Sequence, residues 1–407
     1  MNDDNNSSFI THHSPLIPRL RFPEFREAGE WEEKRLGEIL KIGNGRDYKN
    51  LEDGDIPVYG SGGYMCSVND YLHDGESACI GRKGTINKPI FLTGKFWTVD
   101  TLFYTHSFNN CLPVFAFSIF QNINWLKYNE AGGVPSLSKA NIERIEVTIP
   151  KLPEQQKIAD CLSSIDALIT AHSQKLDALK AHKKGLMQQL FPRQGETVPR
   201  LRFPEFREAG EWDMEYLGAL SKILRGGSPR PIDNYLTSDA DGLNWLKIGD
   251  VDKESKFITG TTEKVKRTAL AKTREVNPGD LIMSNSMSFG RPYILKIKSC
   301  IHDGWIAVTE IKKTIDSDYL YYLILSNSSQ LYFLNAAAGG GIKNLNADII
   351  KLLPVAYPGK NEQQKIANCL ASIDALITAQ GKKIEAVKVY KKGLMQQLFP
   401  VLDEVRG

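Results

Sequence analysis

The chain has 407 residues, of which 42% are hydrophobic and 24% charged, and its formal net charge is +3. At roughly 100 to 200 residues per domain, this length predicts two or three domains that can each bury a core. No apolar run approaches the roughly 18 residues of a membrane span, and the first 16 residues lack the pattern of a secretory signal. The six cysteines show no CxxC motif and no paired spacing, so we expect a cytoplasmic protein with no membrane partner and no cysteine metal site.

The distribution of charge does not by itself predict a nucleic-acid partner. Residues 32–150 carry 12 basic and 14 acidic side chains, and residues 213–357 carry 18 basic and 16 acidic side chains. Neither region has the basic excess that is typical of a nucleic-acid-binding domain. A nucleic-acid function must therefore rest on how particular residues are arranged.

Two segments of the chain are repeated. Residues 17–31, which contain Pro-Arg-Leu-Arg-Phe-Pro-Glu-Phe-Arg-Glu-Ala-Gly-Glu-Trp, return almost unchanged at 198–212, an offset of 181 positions. We call these two stretches the lead-in segments. Residues 154–192 return at 362–400, an offset of 208, and both copies begin with Glu-Gln-Gln-Lys-Ile-Ala. The order is lead-in segment, globular region and long helix, and then the same again, which indicates a duplicated architecture.

The regions between the repeats have the pattern of α+β domains. Short β-type runs, broken by Gly, Pro, Asn and Asp, occur at 56–59, 78–80, 280–283 and 305–309. Each region also has one helix-like stretch, at 114–128 in the first and at 318–335 in the second. The predicted segments are a flexible tail at 1–16, a first globular domain at 17–150, a central helix at 151–192, a linker with a second globular domain at 193–357, a C-terminal helix at 358–400 and a tail at 401–407.

The two long repeats are predicted to form an antiparallel two-helix coiled coil. Their apolar residues recur alternately every four and three positions over five heptads, and the polar residues His172, Lys183, Gln380 and Lys391 fill the remaining positions of the stripe. The alternative is that each long repeat forms a separate core helix of a larger domain. The equal length of the two copies argues against this alternative. Residues 154–190 would extend about 55 Å. We therefore expect two similar domains that are related by pseudo-two-fold symmetry and held apart by the helices. The separation would equal the length of roughly 15 base pairs of DNA.

No catalytic motif stands out in the sequence. The chain has no GxxxxGK[ST] phosphate loop and no HExxH zinc motif, and its seven histidines have no metal-ligand spacing. Asp100 and Asp303 recur at matching places in the two globular regions. In a duplicated fold such recurrence favours a structural carboxylate over a catalytic acid or base. We expect no catalytic residue, no metal ligand and no bound cofactor in this chain.

Several of these segments resemble one known family. The lead-in segments, the Pro-Ser-Leu-Ser-Lys sequence at 135–139, the Ile-Pro-Lys-Leu-Pro-Glu-Gln-Gln-Lys-Ile-Ala sequence at 149–159 and the duplicated layout are similar to the specificity subunit of type I restriction-modification enzymes. The resemblance extends from about Ile17 to Pro400. It implies a non-catalytic subunit whose two target recognition domains read a bipartite, asymmetric site in double-stranded DNA. It also implies two adenine methyltransferase subunits and two restriction and translocation subunits as partners, which would bind S-adenosylmethionine, ATP and magnesium.

Base recognition requires hydrogen-bonding side chains on loops that reach a groove edge, with arginine favouring guanine and asparagine or glutamine favouring adenine. The candidates in the first domain are Asn44, Arg46, Tyr48, Lys49, Ser61, Tyr64, Arg82, Lys83 and Thr85. The candidates in the second domain are Arg225, Ser228, Arg230, Lys247, Asn285, Ser286, Ser288 and Arg291. For each single residue a solvated loop side chain is the alternative, so the prediction concerns the clusters.

A partner that binds twice needs a surface that is present twice. The aromatic residues of the lead-in segments meet this requirement, and the predicted docking residues are Phe22, Phe25, Trp31, Phe203, Phe206 and Trp212. Recent duplication without a shared partner is the alternative explanation for the near-identity of the copies.

The balanced charge of the two globular regions also leaves one alternative function, a protein-only adaptor that uses the coiled coil and the twin domains to bridge partners.

Overall fold

The computed structural model describes residues 16–252, 255–285, 290–337 and 345–400. The chain divides into two units. Unit 1 comprises Met1–Ser173 and Lys382–Gly407, and unit 2 comprises Gln174–Gly381. Each unit therefore contains one globular region together with part of each long repeat.

The globular region of unit 1 combines short strands with short helices. Its described strands are β1 (Glu32–Arg35), β2 (Lys41–Asn44), β3 (Asp53–Gly60), β4 (Gly63–Val68), β5 (His73–Asp74), β6 (Ser77–Gly81), β7 (Ile90–Leu92), β8 (Lys95–Thr98), β9 (Leu102–His106) and β10 (Glu146–Ile149). Its helices are α1 (Leu36–Ile39), α2 (Pro113–Asn122) and α3 (Lys139–Arg144), followed by the long α4 (Leu152–Leu190). The strands form one sheet in the order β2-β9-β6-β7, a second in the order β4-β3-β8-β5, and a ribbon of β1 with β10.

Unit 2 is built in the same way. Its described strands are β11 (Asp213–Tyr216), β12 (Lys222–Arg225), β13 (Leu236–Thr237), β14 (Leu243–Leu246), β15 (Phe257–Ile258), β16 (Glu263–Val265), β17 (Arg274–Val276), β18 (Leu281–Ser284), β19 (Pro292–Leu295), β20 (Ser299–Ile301), β21 (Trp305–Thr309) and β22 (Pro354–Tyr357). Its helices are α5 (Leu217–Leu220), α6 (Ser317–Leu325), α7 (Asn327–Ala337) and α8 (Ala347–Lys351), followed by the long α9 (Lys360–Leu398). The sheets have the orders β12-β21-β18-β19-β15 and β13-β16-β14-β20-β17, and β11 pairs with β22.

The two units share one topology. In unit 1, β3 and β8 are parallel neighbours and β2 pairs antiparallel with β9. In unit 2, β14 and β20 are parallel neighbours and β12 pairs antiparallel with β21. Unit 2 adds β13 and β15 at the edges of its sheets. The prediction of two similar α+β domains is confirmed, and the longer second region contains additional strands at the sheet edges.

The two predicted domain helices are shorter than the sequence pattern indicates. The stretch 114–128 forms α2 and then a separate one-turn 3-10 helix at Trp125–Tyr128, because the backbone of Ile123 is extended. The stretch 318–335 divides into α6 and α7 at Ser326, whose backbone is also extended. The Ser326 hydroxyl accepts a hydrogen bond from the Ser329 amide, so it caps a new helix instead of continuing the old one.

The glutamate that recurs at the start of each long helix binds the lead-in segment of the same unit. In unit 1 the Arg21 guanidinium donates two hydrogen bonds to the Glu154 carboxylate, at 2.8 and 2.7 Å, and the Trp31 indole donates a third at 3.3 Å. In unit 2 Arg202 donates to Glu362 at the same two distances. The four charged side chains are at most 8% exposed. A bidentate ion pair of this kind fixes both the distance and the orientation of the two segments it joins.

The glutamine that follows each glutamate is fully buried and holds the loop before the domain helix. The Gln155 side chain accepts from the Leu112 amide at 2.9 Å and donates to the carbonyls of Asn110 and Pro150 at 2.9 and 2.8 Å. Gln363 makes the equivalent three hydrogen bonds in unit 2. The repeated Glu-Gln pair therefore ties the long helix to two different segments of its own unit.

Within each unit the two long helices run antiparallel. In unit 1, Ile158 and Leu162 of α4 share a core cluster with Leu398 of α9, while Asp166, one turn further along α4, forms an ion pair with Lys391 at 2.7 Å. In unit 2, Leu190 of α4 clusters with Ile366 and Leu370 of α9.

The charged members of the helical stripe are paired in both units. Lys391 binds the Asp166 carboxylate in unit 1, and Lys183 binds the Asp374 carboxylate in unit 2. Because each lysine has one matching aspartate on the other helix, these pairs favour one register of the two helices.

We expect Arg21→Ala to destabilise the protein by about 2 to 3 kcal/mol, because the mutation leaves the Glu154 carboxylate buried without its cationic partner. Urea unfolding of the full chain, followed by circular dichroism, measures this change. Lys157→Ala is the matched control, because it removes an exposed ion pair between α4 and the same lead-in segment, with Glu24. An equal loss of stability in the two variants would contradict the assigned role of Arg21.

Candidate nucleic-acid interface

Three loops of unit 1 meet at the turn that follows β8. We call this turn, residues 98–101, the hub turn of unit 1. The Arg46 amide donates to the Thr98 carbonyl at 2.8 Å, and the Arg82 amide donates to the Thr101 carbonyl at 2.8 Å. The Ser61 amide donates to the Thr101 hydroxyl at 3.4 Å. The loops after β2, β3 and β6 are therefore attached to one another through hydrogen bonds from their backbone amides to a single turn.

Unit 2 repeats this arrangement at residues 301–304, its own hub turn. The Gly227 amide donates to the Ile301 carbonyl at 3.1 Å, and the Asn285 amide donates to the Gly304 carbonyl at 3.0 Å. Asn285 thus occupies the place of Arg82, and Gly227 that of Arg46. The two units present the same loops with different side chains.

A glycine after the first strand permits this close approach in both units. A Cβ atom on Gly45 would lie 1.9 Å from the Val99 carbonyl oxygen, and a Cβ atom on Gly226 would lie 2.1 Å from the His302 carbonyl oxygen. Any side chain at these two positions would push the loop away from the hub turn.

Four of the nine candidates of unit 1 line one open cleft, namely Tyr48, Lys49, Ser61 and Tyr64. The cleft is lined by Asp47, Tyr48, Lys49, Gly60, Ser61, Gly62, Gly63, Tyr64, Met65, Val99, Asp100 and Thr101. Tyr64 is 63% exposed at the β3–β4 turn, and its hydroxyl lies 3.1 Å from that of Ser67. The side chains of Asn44, Arg46 and Lys49 are exposed at the β2–β3 loop.

The loop after β6 is held from its other side by residues 135–137. The Gly84 amide donates to the Pro135 carbonyl and the Leu137 amide to the Arg82 carbonyl, both at 2.8 Å. The Arg82 side chain is exposed and donates a long hydrogen bond, 3.4 Å, to the Asp100 carbonyl. Lys83 is also exposed, whereas Thr85 is half-buried. Arg82 and Lys83 therefore project from a fixed backbone.

In unit 2 the side chains converge on Asp303 of the hub turn. Its carbonyl accepts from the Arg225 guanidinium at 3.4 Å and from the Asn285 amide group at 3.0 Å. Its carboxylate accepts from the Ser228 hydroxyl at 2.8 Å and forms an ion pair with Arg230 at 3.8 Å. Four of the predicted residues are therefore brought together around one aspartate.

Burial of Asp303 acts to raise the pKa of its carboxyl. The hydrogen bond from Ser228 and the neighbouring His302, Arg230 and Arg225 side chains act in the opposite direction and outweigh burial, so the pKa lies below its ordinary value. Asp303 is therefore ionised at neutral pH and is a hydrogen-bond acceptor only.

The remaining candidates of unit 2 are not part of this group. Lys247 forms an ion pair with Glu263 at 2.6 Å. Arg291 is half-buried and its guanidinium lies over the Tyr293 ring, 5.6 Å from the centroid. Ser286 and Ser288 lie outside the described residues. Lys247 and Arg291 have partners within the fold, which weakens their assignment as base-reading side chains.

The sequence patterns do not predict that Asp303 and His302 belong to this group. The signal available in the sequence is the recurrence of aspartate at positions 100 and 303. That recurrence correctly indicates a shared structural turn, but it does not reveal that only the second aspartate collects side-chain donors.

The predicted docking role of two aromatic residues is wrong. Trp31 and Trp212 are 2% and 3% exposed, because each packs in the core of its unit. Trp31 contacts Phe399 edge to face at 6.0 Å, and Trp212 contacts Tyr319 at 6.2 Å. A side chain buried in this way cannot form a docking surface. The four phenylalanines of the lead-in segments are half-buried, namely Phe22, Phe25, Phe203 and Phe206.

Three apolar side chains of unit 1 are exposed at the same repeat positions as three of unit 2. In the lead-in segments these are Ile17 and Val198, at 42% and 41%, and Leu20 and Leu201, at 42% and 38%. The long helices add Leu168 and Leu376, at 46% and 55%. Each pair has the offset of its own repeat, so unit 1 and unit 2 expose the same three side-chain positions.

The described residues contain neither a candidate metal centre nor a membrane-spanning helix. In this part of the chain no group of three or more His, Cys, Asp and Glu side chains is arranged to hold a metal ion. Among the described helices, none is both long and apolar enough to cross a lipid bilayer.

Proteins of known identity are similar to this chain over most of its length. The type I restriction enzyme MjaVIII specificity subunit of Methanocaldococcus jannaschii is 24% identical over 410 residues, which cover 93% of each chain. The type I restriction enzyme EcoDI specificity subunit of Escherichia coli is 20% identical over 391 residues, covering 91% of this chain and 87% of that protein.

Solved structures show the same fold. The crystal structure of the S subunit of a type I restriction-modification system from M. genitalium superposes with a TM-score of 0.60 at 12% identity, and the match covers 95% of this chain and all of that chain.

The sequence profile of the type I restriction modification DNA specificity domain matches twice, at residues 28–181 and 210–389. The two matches correspond to the two copies of the duplicated architecture and cover most of the chain. They support the interpretation as a DNA specificity subunit and give no support to the protein-only adaptor. The chain belongs to the family of type I restriction-modification specificity subunits.

Proposed function

We propose that each unit of this non-catalytic specificity subunit reads one half of a bipartite DNA site with the loops around its hub turn. The observation that carries the proposal is that one loop arrangement is built twice, on the same hydrogen bonds, with different side chains. A shared backbone frame gives both units the same way of approaching DNA. Different side chains on that frame give each unit its own base preference.

The chemistry of the exposed side chains suits a DNA groove. Arg82 and Lys83 of unit 1 and Arg225 and Arg230 of unit 2 extend from loops whose backbones are fixed by hydrogen bonds. Arginine can donate two hydrogen bonds to O6 and N7 of guanine, and lysine and arginine also bind phosphates. The local clusters supply the positive charge that the overall composition of the domains does not.

The difference between the units supports an asymmetric site. Asn44 at the end of β2 corresponds to Arg225 at the end of β12, and Arg82 corresponds to Asn285. Arginine and asparagine have exchanged places between the two loops. Since these residues favour guanine and adenine respectively, the two half-sites are expected to differ in sequence.

We further propose that two methyltransferase subunits dock on the repeated apolar surface of Ile17, Leu20 and Leu168 in unit 1 and its equivalent in unit 2. A family of type I restriction-modification subunits requires methyltransferase and restriction partners, and one kind of partner can bind twice only where the surface occurs twice. Two restriction and translocation subunits would join through this assembly. S-adenosylmethionine, ATP and magnesium would then be bound by those partners.

We expect Arg82→Ala to weaken recognition of one half-site by about 1 to 3 kcal/mol and to leave the other half-site unchanged, because the mutation removes a bidentate base contact from unit 1 alone. Competition binding of the assembled methyltransferase complex to duplexes altered in either half-site measures the effect. Arg144→Ala, at an exposed position of α3, is the control for loss of an arginine. Equal weakening at both half-sites would refute the assignment of Arg82.

We expect Leu20→Glu to reduce the number of bound methyltransferase subunits from two to one, and Leu201→Glu to do the same at the other unit. A charge at the centre of an apolar docking surface disfavours association, while an exposed position leaves the fold intact. Native mass spectrometry of the reconstituted complex counts the subunits, and the double variant should bind none. Two subunits retained by the double variant would exclude this surface as the docking site.

A further inference from the structure

The Asp303 carboxylate is oriented through contacts to one of its two oxygens. Its Oδ1 atom accepts from the Ser228 hydroxyl at 2.8 Å and lies 3.0 Å from His302 Nε2. His302 Nδ1 accepts from the Gly304 amide at 2.9 Å. Since Nδ1 accepts this hydrogen bond, a ring proton lies on Nε2, the atom next to Asp303 Oδ1. Ser228 donates to this oxygen and His302 lies next to it.

The second carboxylate oxygen is differently placed. Among the residues that the structure describes, Oδ2 of Asp303 is paired with Arg230 alone, at 3.8 Å, which is too long for a hydrogen bond. The Arg230 side chain is 84% exposed and the Asp303 side chain is 32% exposed. Oδ2 is thus an oriented acceptor at the surface. The long, exposed Arg230 side chain next to it can move aside.

We propose that Asp303 is a specificity-determining residue that selects cytosine at one position of the half-site read by unit 2. The proposal rests on the proposed function of the hub turn. On the major-groove edge cytosine presents the N4 amino donor, which a carboxylate oxygen accepts. Guanine presents O6 and N7, thymine presents O4, and adenine presents N7 beside its amino group, so each of these bases places an acceptor near the carboxylate. Cytosine alone offers a donor without an acceptor.

The charges around Asp303 allow a carboxylate to approach DNA. The phosphates repel an unpaired aspartate, but Arg230 and Arg225 both lie beside it and compensate its charge. The pKa of the carboxyl is lowered in this setting, so it carries no proton that could donate to a guanine or thymine oxygen. The group discriminates between bases through acceptance alone.

Asp100 provides a matched control within the same chain. It occupies the equivalent position in the hub turn of unit 1, but its side chain is exposed, and within the described ranges no hydrogen bond to its carboxylate is found. The Arg82 contact is made with the Asp100 carbonyl. An unoriented carboxylate does not discriminate between bases in the way that the proposal requires of Asp303.

The test is the modified sequence motif of the complex of this chain with its methyltransferase subunit, obtained by sequencing N6-methyladenine in a randomised duplex library. The native chain should modify sites that contain cytosine at one position of one half-site. Asp303→Asn should disfavour cytosine there by about tenfold or more in favour of bases that present an acceptor. The reason is that the Ser228 hydroxyl keeps the amide oxygen inward, so the amide nitrogen replaces Oδ2.

Two further variants separate base reading from folding. Ser228→Ala should weaken the cytosine preference several-fold without changing the preferred base, because it removes the hydrogen bond that orients the carboxylate. Asp100→Asn should leave that position unchanged. The inference is overturned if Asp303→Asn retains the native motif, or if the position that changes is not a cytosine in the native motif. Absence of any sequence-dependent modification by the native complex would instead refute the proposed function itself.

Discussion

The bidentate ion pair between the lead-in arginine and the first glutamate of each long helix is the contact on which the rest of the structure depends. Arg21 with Glu154, and Arg202 with Glu362, join segments more than 130 residues apart in the chain. The adjacent buried glutamines attach the loop that precedes the domain helix. Because these groups are buried, every one of them needs a hydrogen-bond partner within the protein. Each globular domain is thereby attached to its helix in one defined orientation.

A second constraint shapes the surface that we assign to DNA. The hub turn of each unit accepts backbone hydrogen bonds from neighbouring loops, and a glycine lets the first of these loops approach. Backbone hydrogen bonds do not depend on the identity of the side chains. The exposed residues of the loops can therefore change without loss of the fold, as they have between unit 1 and unit 2. In these segments the backbone atoms provide stability and the side-chain atoms provide specificity.

The repeated surfaces and the divergent surfaces have separate physical requirements. A partner that binds twice requires equivalent apolar positions, such as Leu20 and Leu201, and the near-identity of the lead-in segments preserves them. A target with two different halves requires unlike side chains, such as Arg82 and Asn285. The lysine and aspartate pairs of the long helices also recur, since they set the register in both units.

The sequence by itself determined the duplication, the α+β class and the long helices, because these follow from local periodicity and from near-identical repetition, and it indicated the family through the resemblance of its motifs. It also located most loops of the candidate site, since each follows a recognisable strand. Only the tertiary structure decided that Trp31 and Trp212 are core residues, that Lys247 and Arg291 have partners inside the fold, and that Asp303 collects donors while Asp100 does not. These properties depend on contacts between distant segments, such as Ser228 with Asp303, and no local pattern encodes the distance between two side chains that are 75 positions apart.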